Sequence, residues 1–248
     1  MQADLLHAAA SSPPPAPAPA PNAILLGAVG SLGEALMARL LASSAYSKVY
    51  VGVERAMPST SSRFAALPVP EGAASPAPWP LAADCFLCET PPETPLKPGA
   101  PIRAFAAGQL LDLARQAKAA GVKRFVLVAP LAAALQLSGA VRTLSQTDEI
   151  ELVGLGFESL VIVRPSAEEG DGPAGGWFRA LVRSAGRAVL HIMLPPQVQP
   201  LRASTAASAI LEAVRQAGPG ISILGAKDLA ARAEAISPGA APRARRRW

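Results

Sequence analysis

Three glycines at regular spacing are the residues of this sequence most suited to holding a ligand. Gly27, Gly30 and Gly33 follow the apolar run Ala23–Leu26 and open a segment with helical spacing of apolar residues. In a strand, glycine turn and helix, the first glycine permits a tight turn, the second lets the backbone approach a pyrophosphate, and the third lets the helix pack closely. The N–H groups and the positive dipole end of the helix then face the anion. The spacing therefore predicts a dinucleotide site.

The end of a second β-rich segment supplies two further candidates. Residues 48–53 predict a strand, and Glu54 and Arg55 follow it, about 20 residues beyond the glycines as this kind of site requires. Glu54 could accept hydrogen bonds from the adenosine ribose, which favours NAD, whereas Arg55 could pair with a 2′-phosphate, which favours NADP. A solvated strand end is the alternative. The candidate cofactor-binding residues are Gly27, Val29, Gly30, Ser31, Leu32, Gly33, Glu54 and Arg55.

Other groups able to do chemistry are few. Of the two histidines, His7 lies in a proline- and alanine-rich tail, which leaves His191 as the candidate general acid. With two cysteines and two histidines the chain has no metal-ligand cluster of the usual spacing. Cys85 and Cys88 stand three apart in an apolar run, so in a strand they would point to opposite faces. We expect them to be buried structural residues.

The alternation of strand and helix patterns predicts the fold. Strands are expected at residues 23–26, 48–53, 64–69, 84–88, 124–128, 159–163 and 221–224, and helices at 31–43, 102–120, 145–155, 177–189, 205–217 and 227–235. Such alternation is typical of a parallel sheet covered on both faces, with right-handed connections. The sequence therefore predicts an α/β protein with a doubly wound parallel sheet of the Rossmann type.

Composition limits the classes of partner. The chain has 248 residues, half of them hydrophobic, and a net charge of +5, which suits one α/β domain. Four positive charges lie in the last six residues, so the body carries no basic surface and nucleic-acid binding is not favoured. The two cysteines favour a reducing compartment, and no uncharged stretch reaches the length of a membrane span. We expect a cytoplasmic protein.

Several segments resemble the atypical short-chain dehydrogenase/reductases. They are the glycine loop GAVGSLG at 27–33, YSKV at 46–49, VKRFV at 122–126 and GFESLVIVRP at 156–165. The nearest branch is that of the Tat-interacting oxidoreductase-like proteins and bacterial NAD(P)H-binding homologues, over about residues 23–235. The resemblance implies a Rossmann domain at 23–237, with a small C-terminal substrate lobe over about residues 166–237, and NADP or NAD as cofactor. A disordered Pro/Ala-rich tail is expected at 1–22 and a basic one at 238–248.

The chain departs from that family where its catalytic residues would stand. The family's reductases use a Tyr-x-x-x-Lys pair and an upstream serine. Here Val141 and Ser145 occupy the tyrosine and lysine positions, and residues 129–130, Ala-Pro, occupy the serine position. The two tyrosines, Tyr46 and Tyr50, precede or lie within the second strand. All three roles are therefore vacant.

Three functions fit these observations. The first is a dinucleotide-binding module, catalytically degenerate, that binds or regulates a partner when the cofactor is bound. The second is an active NAD(P)-dependent oxidoreductase or epimerase-like enzyme with an unconventional acid, of which His191 is the first candidate. The third is an interaction scaffold that has also lost the cofactor, which the proline-rich stretch 58–80 supports because it should flank the adenine.

Overall fold

A seven-stranded sheet forms the centre of the protein. The computed structural model describes residues 20–59, 61–69, 78–90, 101–105, 107–128, 146–164 and 201–236. Its strands are β1 (Ala23–Leu26), β2 (Val49–Val53), β3 (Phe64–Pro68), β4 (Asp84–Cys88), β5 (Arg124–Val128), β6 (Ser159–Val163) and β7 (Gly220–Leu224). The described helices are α1 (Gly30–Ala42), α2 (Leu110–Ala119), α3 (Gln146–Gly154), α4 (Ala203–Gln216) and α5 (Ala226–Ile236).

All neighbouring strands run parallel, in the order β3-β2-β1-β4-β5-β6-β7. The predicted doubly wound Rossmann fold is confirmed. The chain moves outward from β1 to β2 and β3, then crosses back to β4 on the other side of β1. In open α/β sheets such a reversal marks the crevice in which ligands bind, and here that crevice is expected at the carboxyl ends of β1 and β4.

Two apolar layers cover the sheet, one on each face. Strand residues alternate between them: Leu25 and Phe86 pack beneath α1, α4 and α5, whereas Leu26 and Leu87 pack beneath α2 and α3. Burial on both faces explains why the strands read as continuous apolar runs rather than alternating ones. None of the described helices has the length and hydropathy that a bilayer span requires.

The predicted long helix at 102–120 is wrong in its first half. Ile102 instead forms an antiparallel bridge with Val53, and the N–H of Arg103 donates to the carbonyl of Gly52. A 3₁₀ turn at Ala107–Gln109 then leads into α2. Ile102 and Phe105 have the spacing of a helix, but they pack on opposite faces of the sheet. They therefore belong to a segment that crosses the end of β2.

The structure describes parts of the chain near both ends of the predicted Rossmann domain at 23–237. The carbonyl of Pro21 accepts a hydrogen bond from Ser47 and that of Asn22 accepts one from Ala83, although both residues were expected in the amino-terminal tail. Residues 201–236 of the expected C-terminal lobe add β7 to the main sheet and pack α4 on α1. Residues 1–19, 165–200 and 237–248, with the predicted helix at 177–189, lie outside the described residues.

Candidate functional site

The turn between β1 and α1 requires glycine at three positions. Gly27 and Gly30 have φ values of +71° and +72°, a conformation that residues with a Cβ rarely adopt. At Gly33 a Cβ would lie 2.9 Å from the carbonyl carbon of Ala28 and 2.9 Å from the oxygen of Gly27, so only glycine lets α1 approach the turn this closely. The structure brings the three predicted glycines together at the carboxyl end of β1.

The amino terminus of α1 faces the crevice without a neutralising side chain. Its N-cap, Val29, makes no side-chain cap hydrogen bond, and its first turn has no acidic residue. Val29, Gly30, Ser31 and Leu32 are half-buried. The first N–H groups of a helix and its positive dipole end favour an anion. Together with the glycine turn they form a cradle of the kind that fits a diphosphate.

Glu54 and Arg55 lie at the carboxyl end of β2, the strand beside β1. Both side chains are exposed. The N–H of Glu54 donates to the carbonyl of Pro101, which holds residues 101–103 against this end of β2. The two side chains thus stand one strand away from the glycine turn, at the same end of the sheet.

The structure adds two polar residues that sequence reasoning missed, Glu89 and Thr90. They follow β4 directly: the N–H of Glu89 donates to Val128 and that of Thr90 donates to Phe105. Burial raises the pKa of the Glu89 carboxyl above its usual value. The hydroxyl of Thr90 is buried and has no hydrogen-bond partner among the described residues. The sequence shows a polar pair directly after a buried strand. This pattern indicates the site only once β4 is known to lie beside β1.

Neither tyrosine lies at this edge of the sheet. Tyr46 is buried near the amino end of β4, where its hydroxyl donates to Asp84 at 2.5 Å. Burial, followed by the charge of Asp84, raises the pKa of the Tyr46 hydroxyl far above its usual range. Tyr50 lies inside β2. Neither residue is placed to exchange a proton with a ligand in the crevice.

The two cysteines are buried structural residues, as predicted. Cys85 packs in the layer under α2 and Cys88 in the layer under α1. Burial, followed by the nearby Asp84, raises the pKa of the Cys85 thiol. His191 and the positions 129–130, Val141 and Ser145 lie outside the described residues.

Comparison with known proteins gives similarity of structure alone. No protein-family model matches the chain, and no curated protein matches it in sequence. MoeE5, solved in complex with UDP-glucuronic acid and NAD, is 14% identical, with 88% of this chain and 82% of that chain covered and a TM-score of 0.50.

Two further solved structures have lower TM-scores. WbmF of Bordetella bronchiseptica, in complex with NADH, is 16% identical over 90% of this chain and 78% of that chain, with a TM-score of 0.45. A short chain dehydrogenase family protein from Francisella tularensis subsp. tularensis SCHU S4 is 9% identical over 85% of this chain and 99% of that chain, with a TM-score of 0.42. What the chain shares with MoeE5 at a TM-score of 0.50 is the Rossmann-like fold.

Proposed function

We propose that this protein binds NAD or NADP in the crevice between β1 and β4. The observation that carries the proposal is the glycine turn: Gly27 and Gly30 adopt positive φ, and Gly33 lets α1 approach the turn at the point where the sheet reverses direction. The hydroxyl of Thr90, which follows β4 and has no hydrogen-bond partner among the described residues, supports the same proposal. The diphosphate would lie on the N–H groups of the turn and of the first turn of α1.

In this proposal the protein is a relative of the atypical short-chain dehydrogenase/reductases that acts as a cofactor-dependent binding or regulatory module. Its two tyrosines are at Tyr46 and Tyr50, and Tyr46 is held by Asp84 in the interior. A reductase of that kind needs a tyrosine beside the substrate to move a proton. Bound dinucleotide would then stabilise one conformation of the protein for a partner rather than supply hydride.

Calorimetric titration with NADH and NADPH tests the binding. Gly30→Asp would place a negative side chain in the cradle, and we expect affinity to fall at least tenfold. Gly121→Asp is the matched control, because Gly121 also has positive φ (+84°) but lies in open space before β5, at the opposite edge of the sheet. The control should bind like the wild type. Failure of the wild type to bind either nucleotide would overturn the proposal.

Glu89 supports a second function, an oxidoreductase with an unconventional acid. The half-buried carboxyl stands at the carboxyl end of β4 and its raised pKa favours the protonated form that a general acid needs. The bound cofactor would supply hydride, and Glu89 would hold a proton at the edge of the crevice. This function requires that the purified protein oxidise NADH or NADPH with carbonyl compounds. Glu89→Gln should abolish that turnover, whereas the exposed Glu158→Gln should not.

A further inference from the structure

Residues 101–103 lie beside the carboxyl end of β2. They occupy the space next to β2 beyond the point where β1 ends. The N–H of Arg103 donates to Gly52 at 3.1 Å, and the N–H of Glu54 donates to Pro101 at 2.9 Å. Ile102 lies between them, opposite Val53. These bonds fix the backbone of Arg103 at the carboxyl end of β2, on the side that faces β1.

The side chain of Arg103 is buried and has few partners. Its residue exposure is 6%, its Nη1 donates to the carbonyl of Val69 at 2.7 Å, and its Cζ lies 5.4 Å from the centre of the Phe105 ring. Its Nε has no hydrogen-bond partner within the part of the chain that the structure describes. Because Val69 follows β3 directly, the guanidinium lies across the ends of β2 and β3.

Arg124, at the amino ends of the strands, differs from Arg103 in its carboxylate partner, although its Nε likewise has no hydrogen-bond partner among the described residues. It forms an ion pair with Asp84 at 3.2 Å. No carboxylate of the described residues does the same for Arg103. A guanidinium stays charged at any physiological pH and has five N–H donors, so its removal from water calls for an anion.

The position of Arg103 identifies the anion. In a Rossmann domain the end of β2 lies against the adenosine ribose, and an arginine near it accommodates a 2′-phosphate. Resting on the proposed cofactor binding, we propose that Arg103 binds the 2′-phosphate of the dinucleotide and makes the protein selective for NADP(H). Arg103 is then the specificity-determining residue, in place of the exposed Arg55. Arginine suits this task because its planar donors match phosphate oxygens in pairs.

Titration of wild type, Arg103→Lys and Arg103→Gln with NADPH and NADH tests the assignment. The wild type should bind NADPH at least tenfold more tightly than NADH. Arg103→Gln should lose at least tenfold in NADPH affinity and stay within twofold for NADH, with Arg103→Lys between the two. Arg55→Gln should keep the preference. Parallel loss for both nucleotides would assign Arg103 a structural role alone, and loss of preference in Arg55→Gln would assign the phosphate to Arg55.

A measurement on the wild type covers the case in which Arg103→Gln does not fold. Thermal unfolding with 2′,5′-ADP should occur at a higher temperature than with 5′-ADP at the same concentration. Equal shifts with the two nucleotides, or tighter binding of NADH than of NADPH, would overturn the 2′-phosphate assignment and leave dinucleotide binding intact. Failure of every nucleotide to bind would instead overturn the proposed function.

Discussion

The carbonyl oxygen of Cys88 lies where a side chain on Gly27 would begin. A Cβ built on Gly27 would overlap that oxygen deeply, at a separation far inside van der Waals contact. Gly27 directly follows β1 and Cys88 is the last residue of β4, the strand paired with β1, so the close approach is a direct result of the reversal of strand order at this point. Gly27 is therefore required twice, for its positive φ and for the space taken by Cys88.

Gly27→Ala and Gly121→Ala separate these two requirements. Both positions have positive φ, but a Cβ at Gly121 meets nothing within 4 Å. Gly121→Ala should cost about 1–2 kcal/mol of unfolding free energy, the strain of a left-handed alanine. Gly27→Ala should cost about 3 kcal/mol or more, because overlap adds to the strain. Urea unfolding of the two variants measures the difference. Equal losses would show that the turn relaxes away from Cys88.

Tyr46, Asp84 and Arg124 form a network near the amino ends of the strands. We expect its disruption to lower stability without changing dinucleotide binding. Tyr46 donates to Asp84, which also pairs with Arg124. Tyr46→Phe should cost about 1.5–3 kcal/mol, because the lost hydrogen bond has a charged acceptor. Asp84→Ala should cost about 3 kcal/mol, the low end for a broken buried pair, since Arg124 keeps part of its solvation.

Dinucleotide affinity is the control for these variants. Tyr46 and Asp84 lie near the amino ends of the strands, whereas the glycine turn lies at their carboxyl ends. Folded Tyr46→Phe should therefore bind NADH and NADPH like the wild type. A lower affinity in Tyr46→Phe at full folding would show that the amino edge is coupled to the crevice, which the arrangement of the strands does not predict.

The cysteines should be inert in the native protein. Cys85 and Cys88 are buried in different layers, and burial raises the pKa of the Cys85 thiol, which reduces its reactive thiolate. Titration with a disulfide reagent near pH 8 should label neither residue until urea is added, and both afterwards. Rapid labelling of native Cys85 would contradict the packing under α2.

The strands were predictable from sequence because burial on both faces removes polar residues from them. Arg124–Val128 and Ser159–Val163 have the same bounds in the structure as in the sequence prediction. The start of α2 was not predictable, since Ile102 and Phe105 have the i, i+3 spacing of a helix yet pack on opposite faces of the sheet. Hydrogen bonds to Gly52 and from Glu54, which arise only in the folded sheet, decide the outcome.

The candidate site was likewise predictable where the local sequence decides the structure, and not where contacts between distant residues decide it. The glycine turn was predictable because positive φ at Gly27 and Gly30 restricts the residue type itself. Glu89 and Arg103 were not, because each becomes relevant through neighbours distant in sequence: β5 for Glu89 and the ends of β2 and β3 for Arg103. Nothing in their local sequence distinguishes them from surface residues.

Glu89 predicts a pH dependence of stability with a definite sign. Burial raises the pKa of Glu89 in the folded protein above its value in the unfolded chain. Above about pH 4 the unfolded chain therefore loses this proton while the folded protein still keeps it. The free energy of unfolding should therefore fall as the pH passes from the unfolded to the folded pKa. Glu89→Gln removes this loss and should be more stable than the wild type at pH 7, by a margin that vanishes near pH 4.

Urea unfolding at a series of pH values, with Glu158→Gln as control, measures this margin. Glu158 is an exposed glutamate paired with Lys123 at 3.3 Å, so its replacement should change stability by less than about 0.5 kcal/mol at each pH. Parallel profiles for wild type and Glu89→Gln would show that water reaches the Glu89 carboxyl freely. Glu89 would then neither resist ionisation at the crevice nor serve there as an acid.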